Sequence, residues 1–247
     1  MLDKTLRNGL AVSYHENTSG KITSFGDYDL LPQYKIYPGA RAFSIDEAPD
    51  EGNSEFVQLL LNRRSRREFS LAGISRKQLG RLLSLGVGLN HRAEKTMRFR
   101  TYASAGARYP IEVYSVVLRS EDMPLGIYHY NILDNSLELI REGNFESDLQ
   151  VFYANQEGII FDAPCYLLFS MVFERTMQKY GERGYRFMYL DAGHMSQNLY
   201  LAAEHLGLGA VGIGGADKDD SFMDHLLRVN GAEESFFYGM AVGIPEE

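Results

Sequence analysis

The stretch "AAEHLGLGAVGIGGADKDD", residues 202–220, decides between two fold classes. Its residues Gly207, Gly209 and Gly212 spell G-x-G-x-x-G, the dinucleotide-binding fingerprint, which has to follow a strand and open a helix. Here the order is reversed, because a helical pattern precedes the glycines and an extended "AVGIGG" follows them. Gly207 stands where a glycine closes a helix. The order of elements therefore argues against a Rossmann fold and leaves the glycines in need of another explanation.

The segment before the glycines predicts a buried helix over residues 188–206. Its apolar residues recur at spacings of four and three, as on one helix face; they are Met188, Ala192, Met195, Leu199, Ala202 and Leu206. Leu190 and Leu201 make the opposite side apolar as well, so we expect the helix to be buried almost all round. Gln197 and Asn198 interrupt this pattern, and buried amides need backbone, water or ligand partners.

Composition and charge are those of an ordinary globular protein. The 247 residues are 45% apolar and 23% charged, which fits one large domain or two small ones. The net charge of -8 argues against general nucleic-acid binding. No apolar run reaches the roughly 20 residues that span a bilayer, and residues 1–20 lack the apolar block of a signal peptide. Cys165 is the only cysteine, which fits a reducing cytoplasm, and the histidine spacings predict no metal site.

The remaining pattern predicts a mixed α+β fold with mainly antiparallel strands around the central helix. Residues 1–50 are interpreted as an irregular arm and residues 51–247 as a single domain. Helices are predicted over 54–64, 75–90 and 219–231, strands over 110–119, 126–131, 137–141, 163–173 and 235–244, and a polar, basic loop over 91–108. Strand 163–173 is expected at the centre of the sheet because it is mostly apolar.

Two of these helices have recognisable starts. Ser54 is predicted as the N-cap of the first helix, with an inward-facing set of Phe56, Val57, Leu60 and Leu61. Ser75 and Gln78 fit a capping box at the second, whose predicted apolar positions are Leu79, Leu82, Leu83 and Leu85.

Three clusters contain residue types that suit chemistry, and each has an ordinary structural alternative. Residues 62–69, "NRRSRREF", hold four arginines, whose fixed fork of donors suits phosphate; basic residues at a helix C-terminus also complement its dipole. Ser104–Ala107 are small residues that let a flat ligand approach the backbone, or that make a tight loop. Lys179 and Tyr180 can share a proton, or belong to a solvated charged loop.

Taken in order, these clusters resemble the nitroreductase-like flavoproteins, and among them the SagB-type dehydrogenases, which include the McbC-like azoline oxidases. That branch reads "RRSxRxF", "SAGAxYPIEVY", "GxYHY", "KYxxRxYR" and "GHxxQN" in this order. The chain has "RRSRREF" from residue 63, "SAGARYPIEVY" from 104, "GIYHY" from 126, "KYGERGYR" from 179 and "GHMSQN" from 193. Each motif is modest alone, but the shared order extends from about residue 15 to the C-terminus.

The resemblance implies an FMN-binding α+β homodimer with one flavin at each end of the subunit interface. The family motif that holds the FMN phosphate and ribityl chain matches Arg63, Arg64, Ser65 and Arg67. The motif that reaches the flavin, often from the partner subunit, matches Ser104, Ala105, Gly106 and Ala107. The polar edge of the ring would meet Gln197, and the backbone beside its N5 would be that of Val211, Gly212, Ile213 and Gly214. The glycines of the opening stretch would then let a main chain lie against a flat ring.

The implied reaction is oxidation of an azoline-type ring in a peptide or related small molecule, with Tyr180 as the base and Lys179 stabilising its deprotonated form. One alternative is a nitro- or quinone reductase that uses NAD(P)H. Another is a non-catalytic FMN-binding or scaffold subunit that works with cyclodehydratase-type partner proteins. Substrate pockets are expected from loops 91–100 and 145–160.

Three positions depart from the branch pattern. Ala103 stands where proline is usual, and Asp191 replaces the usual Glu. The C-terminal "VGIPEE" lacks the basic residue with which many relatives bind phosphate. We expect Arg108 or Arg186 to take its place.

Overall fold

A six-stranded antiparallel sheet forms the centre of the molecule. The structure is a computed structural model that describes residues 9–20, 34–44, 54–94, 97–154 and 162–246. Its helices are α1 (Leu10–Thr18), α2 (Glu55–Asn62), α3 (Arg76–Gly86), α4 (Glu146–Phe152), α5 (Phe173–Tyr180), α6 (Gly184–His205) and α7 (Asp220–Leu227). Its strands are β1 (Leu89–Glu94), β2 (Met97–Arg100), β3 (Ile111–Val117), β4 (Gly126–Asn131), β5 (Ser136–Glu142), β6 (Cys165–Val172), β7 (Gly209–Ile213) and β8 (Glu234–Gly243).

The strand order confirms the predicted α+β architecture. The six strands run β5-β4-β3-β6-β8-β7, and every neighbouring pair is antiparallel. β6 is central, as its apolar sequence predicts, and all residues of β3 beside it are buried. β7, which carries the glycines, is an edge strand and pairs only with β8.

The long helix α6 packs between this sheet and α3. A Cβ on Gly86 of α3 would collide with the Leu199 side chain, so this glycine sets how closely the two helices approach. Gly207 follows α6 with φ +69°, the left-handed conformation of a closing glycine. The prediction that α6 is buried all round is wrong, because Leu190 is 58% exposed in the protomer.

The capping residues and apolar positions read from the sequence predicted α3 well and α2 less well. The Ser75–Gln78 capping box is present, but Leu85 is 45% exposed. Ser54 occupies the N-cap position of α2 without a side-chain capping bond. The prediction that the apolar side chains of α2 face inward is wrong for the protomer, since no residue of α2 is buried and Phe56 is 60% exposed.

Three further predictions need correction. The "irregular" arm contains α1, whose His15 is buried and contacts the Tyr185 hydroxyl at 2.9 Å; residues 1–8, 21–33 and 45–50 of that arm lie outside the described residues. The polar loop 91–108 begins as the β1–β2 hairpin, which forms a sheet separate from the central one and therefore lacks the apolar alternation of a core strand. The last predicted helix ends at Leu227 rather than at 231, because Arg228 takes a left-handed φ of +60°.

Candidate active site

A tight turn at Ser104–Ala107 is anchored on α6 by Asp191. The Ser104 hydroxyl donates to Asp191 Oδ2 at 2.5 Å, and the Ala105 N–H donates to Oδ1 at 3.1 Å. Ser104 Oγ in turn accepts the Tyr109 N–H at 2.8 Å. Asp191 is 2% exposed, and burial raises its pKa against the lowering effect of the hydrogen bonds from Ser104 and Ala105. The carboxylate thus fixes the start of the turn at a cost in desolvation.

The predicted catalytic pair meets this turn at Gly106. Lys179 and Tyr180 end α5. A Cβ added to Gly106 would lie 2.5 Å from the Tyr180 hydroxyl oxygen and 2.7 Å from Lys179 Nζ. Gly106 has φ +60° and Ala107 has φ +54°, so the backbone itself takes an uncommon conformation here. The structure therefore brings Lys179, Tyr180 and the small-residue turn together, although they are far apart in sequence.

The Tyr180 ring is held from its side by Phe187 of α6. The two ring centroids lie 5.1 Å apart at an interplanar angle of 87°, the edge-to-face arrangement that aromatic pairs favour. Tyr180 is half-buried and Lys179 is exposed. The alternative of a solvated loop is wrong, because both residues belong to a helix.

The arginine segment 63–67 lies beside β7. The Arg66 N–H donates to the Ala210 carbonyl at 3.0 Å, and its guanidinium pairs with Glu204 at 3.2 Å. Arg63 lies over the Tyr200 ring, 5.4 Å from its centroid. Within the described part of the chain, no ion pair involves Arg63, Arg64 or Arg67. These three guanidiniums therefore remain available to an anion.

The glycines of β7 differ in what surrounds them. The Gly212 N–H donates to the Tyr200 hydroxyl at 2.6 Å. A Cβ on Gly212 would collide with the Tyr238 hydroxyl, whereas one on Gly214 would meet nothing within 4 Å. Gly212 is thus required by packing within the protomer, and Gly214 opens onto free space.

Three polar residues of α6 behave differently from one another. Gln197 is exposed rather than buried, so a buried-amide argument does not apply to it. The Asn198 amide donates to the Thr101 carbonyl at 3.1 Å. The His194 ring nitrogen Nδ1 donates to the Ala103 carbonyl at 3.1 Å, which gives the residue before the turn a second support from α6.

The predicted site has two halves that contact α6 at different positions: the turn half is Ser104–Ala107 with Lys179 and Tyr180, and the arginine half is Arg63–Arg67 beside β7. Asp191 supports the turn half, and Tyr200 lies in the arginine half, nine positions further along α6. On a helix of about 3.6 residues per turn, nine residues make two and a half turns. The two side chains therefore point to opposite faces of α6, about 13 Å apart along its axis.

The structure also contains a buried ionic group that the sequence reasoning missed. Glu112 of β3 contacts Arg175 Nη1 of α5 and, at 2.9 Å, His129 Nε2 of β4. Burial alone would raise the pKa of Glu112, but the hydrogen bond from His129 and the charge of Arg175 outweigh it and leave the pKa lowered. The hydrogen bond to Glu112 raises the pKa of His129 to about 9, with help from Glu138. Glu112 and His129 lie within the motifs "SAGARYPIEVY" and "GIYHY", but the sequence did not predict that they pair, because they and Arg175 belong to three different elements of the fold.

Neither a membrane-spanning helix nor a metal-binding cluster is found among the residues that the structure describes. None of the helices described combines the length and the apolar character needed to cross a membrane. The described residues include no cluster of metal-binding side chains.

Comparison with known proteins gives consistent matches. The sequence model of the nitroreductase family matches residues 60–244. A Methanocaldococcus jannaschii protein named as a nitroreductase is 32% identical over 182 residues, which cover 74% of this chain and 86% of that protein. The Escherichia coli microcin B17-processing protein McbC is 34% identical over 113 residues, which cover 44% of this chain and 42% of McbC.

A solved structure extends the likeness to almost the whole chain. A chain of the E. coli microcin synthetase McbBCD complex with truncated pro-MccB17 bound superposes with a TM-score of 0.76. The superposition covers 96% of this chain and 94% of that one at 19% identity. At this identity the match shows a shared fold.

Proposed function

Because this chain belongs to the nitroreductase family and is an oxidoreductase similar to McbC, we propose that it binds FMN between two copies of itself and oxidises an azoline-type ring. The substrate would be a peptide or a related small molecule. The observation that carries the proposal is the meeting of Lys179 and Tyr180 with the Gly106 turn. It gives the protein a positioned proton-transfer group beside a backbone that a flat cofactor can approach.

The arginine half fits the phosphate and ribityl chain of FMN. Guanidinium groups bind phosphate oxygens in a bidentate manner. Arg63, Arg64 and Arg67 have no ion-pair partner among the described residues, and Ser65 between them is half-buried. The phosphate would therefore be held by arginines after α2 rather than by a glycine-rich helix start.

The ring would lie beside β7. Its edge position leaves one side of the strand without a neighbouring strand, and no side chain projects from Gly214 into the open space there. When bound, FMN supplies the two-electron and hydride chemistry of the reaction. The backbone of Val211, Gly212, Ile213 and Gly214 would orient the ring by contact.

A homodimer would complete the site. Asp191, which holds the turn half, and Tyr200, which contacts the arginine half, point to opposite faces of α6, and this supports a site that draws its two halves from different protomers. Apolar side chains of α1, α2 and α6 are exposed in the protomer, and such a set marks a protein–protein interface; they are Leu10, Phe56, Leu60, Leu61 and Leu190. We propose that the partner covers them and that each flavin receives its turn half from the partner.

Tyr180 would act as the base at the substrate carbon that loses a proton, with its ring fixed by Phe187. The ammonium of Lys179 lies at the same glycine as the Tyr180 hydroxyl and would stabilise the phenolate form. The turn, held by Asp191, would keep water and substrate at a fixed distance from the Tyr180 hydroxyl and the Lys179 ammonium.

A second candidate is an NAD(P)H-dependent nitro- or quinone reductase. It is favoured by the M. jannaschii relative, which is named as a nitroreductase and is covered over 86% of its length. The McbBCD match favours in turn an assembly with cyclodehydratase-type partner proteins, in which this chain is the catalytic subunit or an FMN-binding scaffold. A cytoplasmic location belongs to the same proposal and is consistent with Cys165 as a buried free thiol.

The test uses the full chain as purified. We expect flavin absorbance, oxidation of an azoline-containing peptide without NAD(P)H, and little NAD(P)H consumption with a nitroaromatic compound. The reverse pattern of activity would favour the reductase. Tyr180→Phe should keep its flavin and lose turnover, Arg63→Ala should lose flavin, and Arg81→Ala on the exposed side of α3 should do neither. A colourless wild-type chain that does not take up added FMN would refute the proposal.

A further inference from the structure

A cavity of about 370 Å³ adjoins the turn half of the site. Its walls come from the β1–β2 hairpin, the residues that follow the Ser104–Ala107 turn, the start of β3, the β4–β5 hairpin and α5. Four arginines from three separate segments line it: Arg98 and Arg100 of β2, Arg108 after the turn, and Arg175 of α5. The protein as a whole is acidic, with a net charge of -8, so this concentration of positive charge is a local feature.

Ion pairs and hydrogen bonds within the protein occupy only some of the donor groups of these arginines. Arg98 and Arg108 have no ion pair among the described residues. Arg100 lies over the Tyr109 ring at 5.0 Å, and its Nη1 donates to the Tyr102 hydroxyl and to the Ile111 carbonyl. The other guanidinium nitrogens of Arg100 make no hydrogen bond within the described part of the chain. The cavity therefore presents arginine donors, two of which have no carboxylate partner among the described residues.

A single carboxylate lines the cavity, and it is already shared. Glu112 binds both Arg175 and His129, and His129 also contacts Glu138 at 2.9 Å. Four arginines and a His129 that is protonated at neutral pH thus face one lining carboxylate. The excess charge is positive, as in sites that bind carboxylate or phosphate.

The cavity is linked to the proposed reacting groups through two elements. Arg108 follows Gly106 by two residues, and Arg175 precedes Lys179 by one helical turn of α5. Arg175 also donates to the carbonyl of Tyr109, which itself has φ +47°. A ligand held by these arginines would therefore lie next to the turn that meets Tyr180.

We propose that this cavity binds an oxyanion group of the substrate, a carboxylate, and so positions the reacting part of the substrate at Tyr180. A volume of about 370 Å³ is at the low end for ligand cavities, which span roughly 300–1,000 Å³, and it suits an acidic group better than a whole nucleotide. The inference rests on the proposed function in so far as the anion belongs to the substrate. The competing source of an oxyanion is the FMN phosphate, for which the sequence suggested Arg108 as one of two contacts. The proposal gives Arg108 to the substrate instead, and the experiment separates the two.

The experiment compares 4-nitrobenzoate with its neutral counterpart 4-nitrobenzamide on the FMN-loaded full chain. Binding is measured by calorimetry. NAD(P)H-dependent nitro reduction is followed as a second readout, which the proposed function expects to be small and the reductase alternative expects to be large. The cavity variant is Arg98→Gln/Arg108→Gln. The matched control, Lys77→Gln/Arg81→Gln, removes the same charge from the exposed side of α3, where both side chains face solvent.

We expect the cavity variant to bind 4-nitrobenzoate about tenfold or more weakly, because charge-assisted hydrogen bonds are lost. It should bind 4-nitrobenzamide unchanged and keep its FMN. The control should match wild type. Equal binding of the two probes by wild type, or equal losses for both probes in the cavity variant, would overturn the inference. Loss of FMN from the cavity variant would also overturn it, by assigning the cavity to the flavin phosphate.

The binding measurement and the turnover measurement can each give a negative result independently of the other. Charge-selective binding without any turnover would support the cavity assignment and count against the reductase chemistry. Turnover of both probes without charge selectivity would overturn the cavity assignment and favour the reductase over the azoline oxidase.

Discussion

Substitution of Gly106 by alanine tests whether the turn sets the position of the Lys–Tyr pair. The added Cβ would lie 2.5 Å from the Tyr180 hydroxyl and 2.7 Å from Lys179 Nζ. Real Cβ contacts are essentially never shorter than 3.0 Å, so the hydroxyl has to move by at least about 0.5 Å. Both atoms end flexible side chains, and the main stability cost is the left-handed φ of +60°, about 1–2 kcal/mol.

The expected effect is therefore larger on turnover than on stability. A displacement of about 1 Å at reacting groups costs up to about a hundredfold in rate, and we expect Gly106→Ala to lose about tenfold to a hundredfold in kcat. The matched control is Gly207→Ala, which has φ +69° and no atom within 4 Å of the added Cβ. Both variants should show a similar loss of free energy of unfolding in urea, but only Gly106→Ala should lose kcat. If Gly106→Ala keeps wild-type kcat, the turn does not position the pair.

Three further perturbations test separate parts of the account. Asp191→Ala removes the acceptor of two hydrogen bonds to the turn and should lower the free energy of unfolding by about 2 kcal/mol, since desolvation of the carboxylate offsets part of the gain; an unchanged urea midpoint would contradict this. The pKa of His129 is raised from 6.5 to about 9, so its stabilising contribution is complete below pH 6.5 and is lost as pH rises through 9. His129→Gln should therefore flatten the fall of Tm between those pH values, and a fall as steep as in wild type would count against the pairing with Glu112. Phe56→Glu should shift the protein from dimer to monomer in light scattering, whereas a dimer of undiminished stability would place the interface elsewhere.

The features that the sequence predicted correctly depend on short-range signals. The Ser75–Gln78 capping box lies within one turn of α3. Gly207 closes α6 through its own φ, and the apolar composition of β6 reflects its central place in the sheet. Such patterns can be recognised in a sequence because the interacting residues lie within a few positions of one another.

The features that the sequence did not predict depend on contacts between residues that are far apart in the chain. Asp191 acts on Ser104, 87 positions away, and the β1–β2 hairpin has no apolar face because it stands apart from the central sheet. The apolar face of α2 was correctly identified as apolar but wrongly predicted to be buried, since none of the residues that the structure describes covers it. The order of the motifs along the chain predicted which clusters form the site. Only the three-dimensional structure shows that these clusters contact opposite faces of α6.

Mixing two inactive variants tests the shared site most directly. Arg63→Ala damages the arginine half and Tyr180→Phe the turn half, so each homodimer should be inactive. If each flavin site takes its halves from different protomers, a mixed dimer has one site with both changes and one intact site. After unfolding and joint refolding we predict recovery of about a quarter of wild-type turnover, since about half of randomly paired dimers are mixed. No recovery in a mixture shown by mass spectrometry to contain mixed dimers would contradict a site built from two copies of the chain.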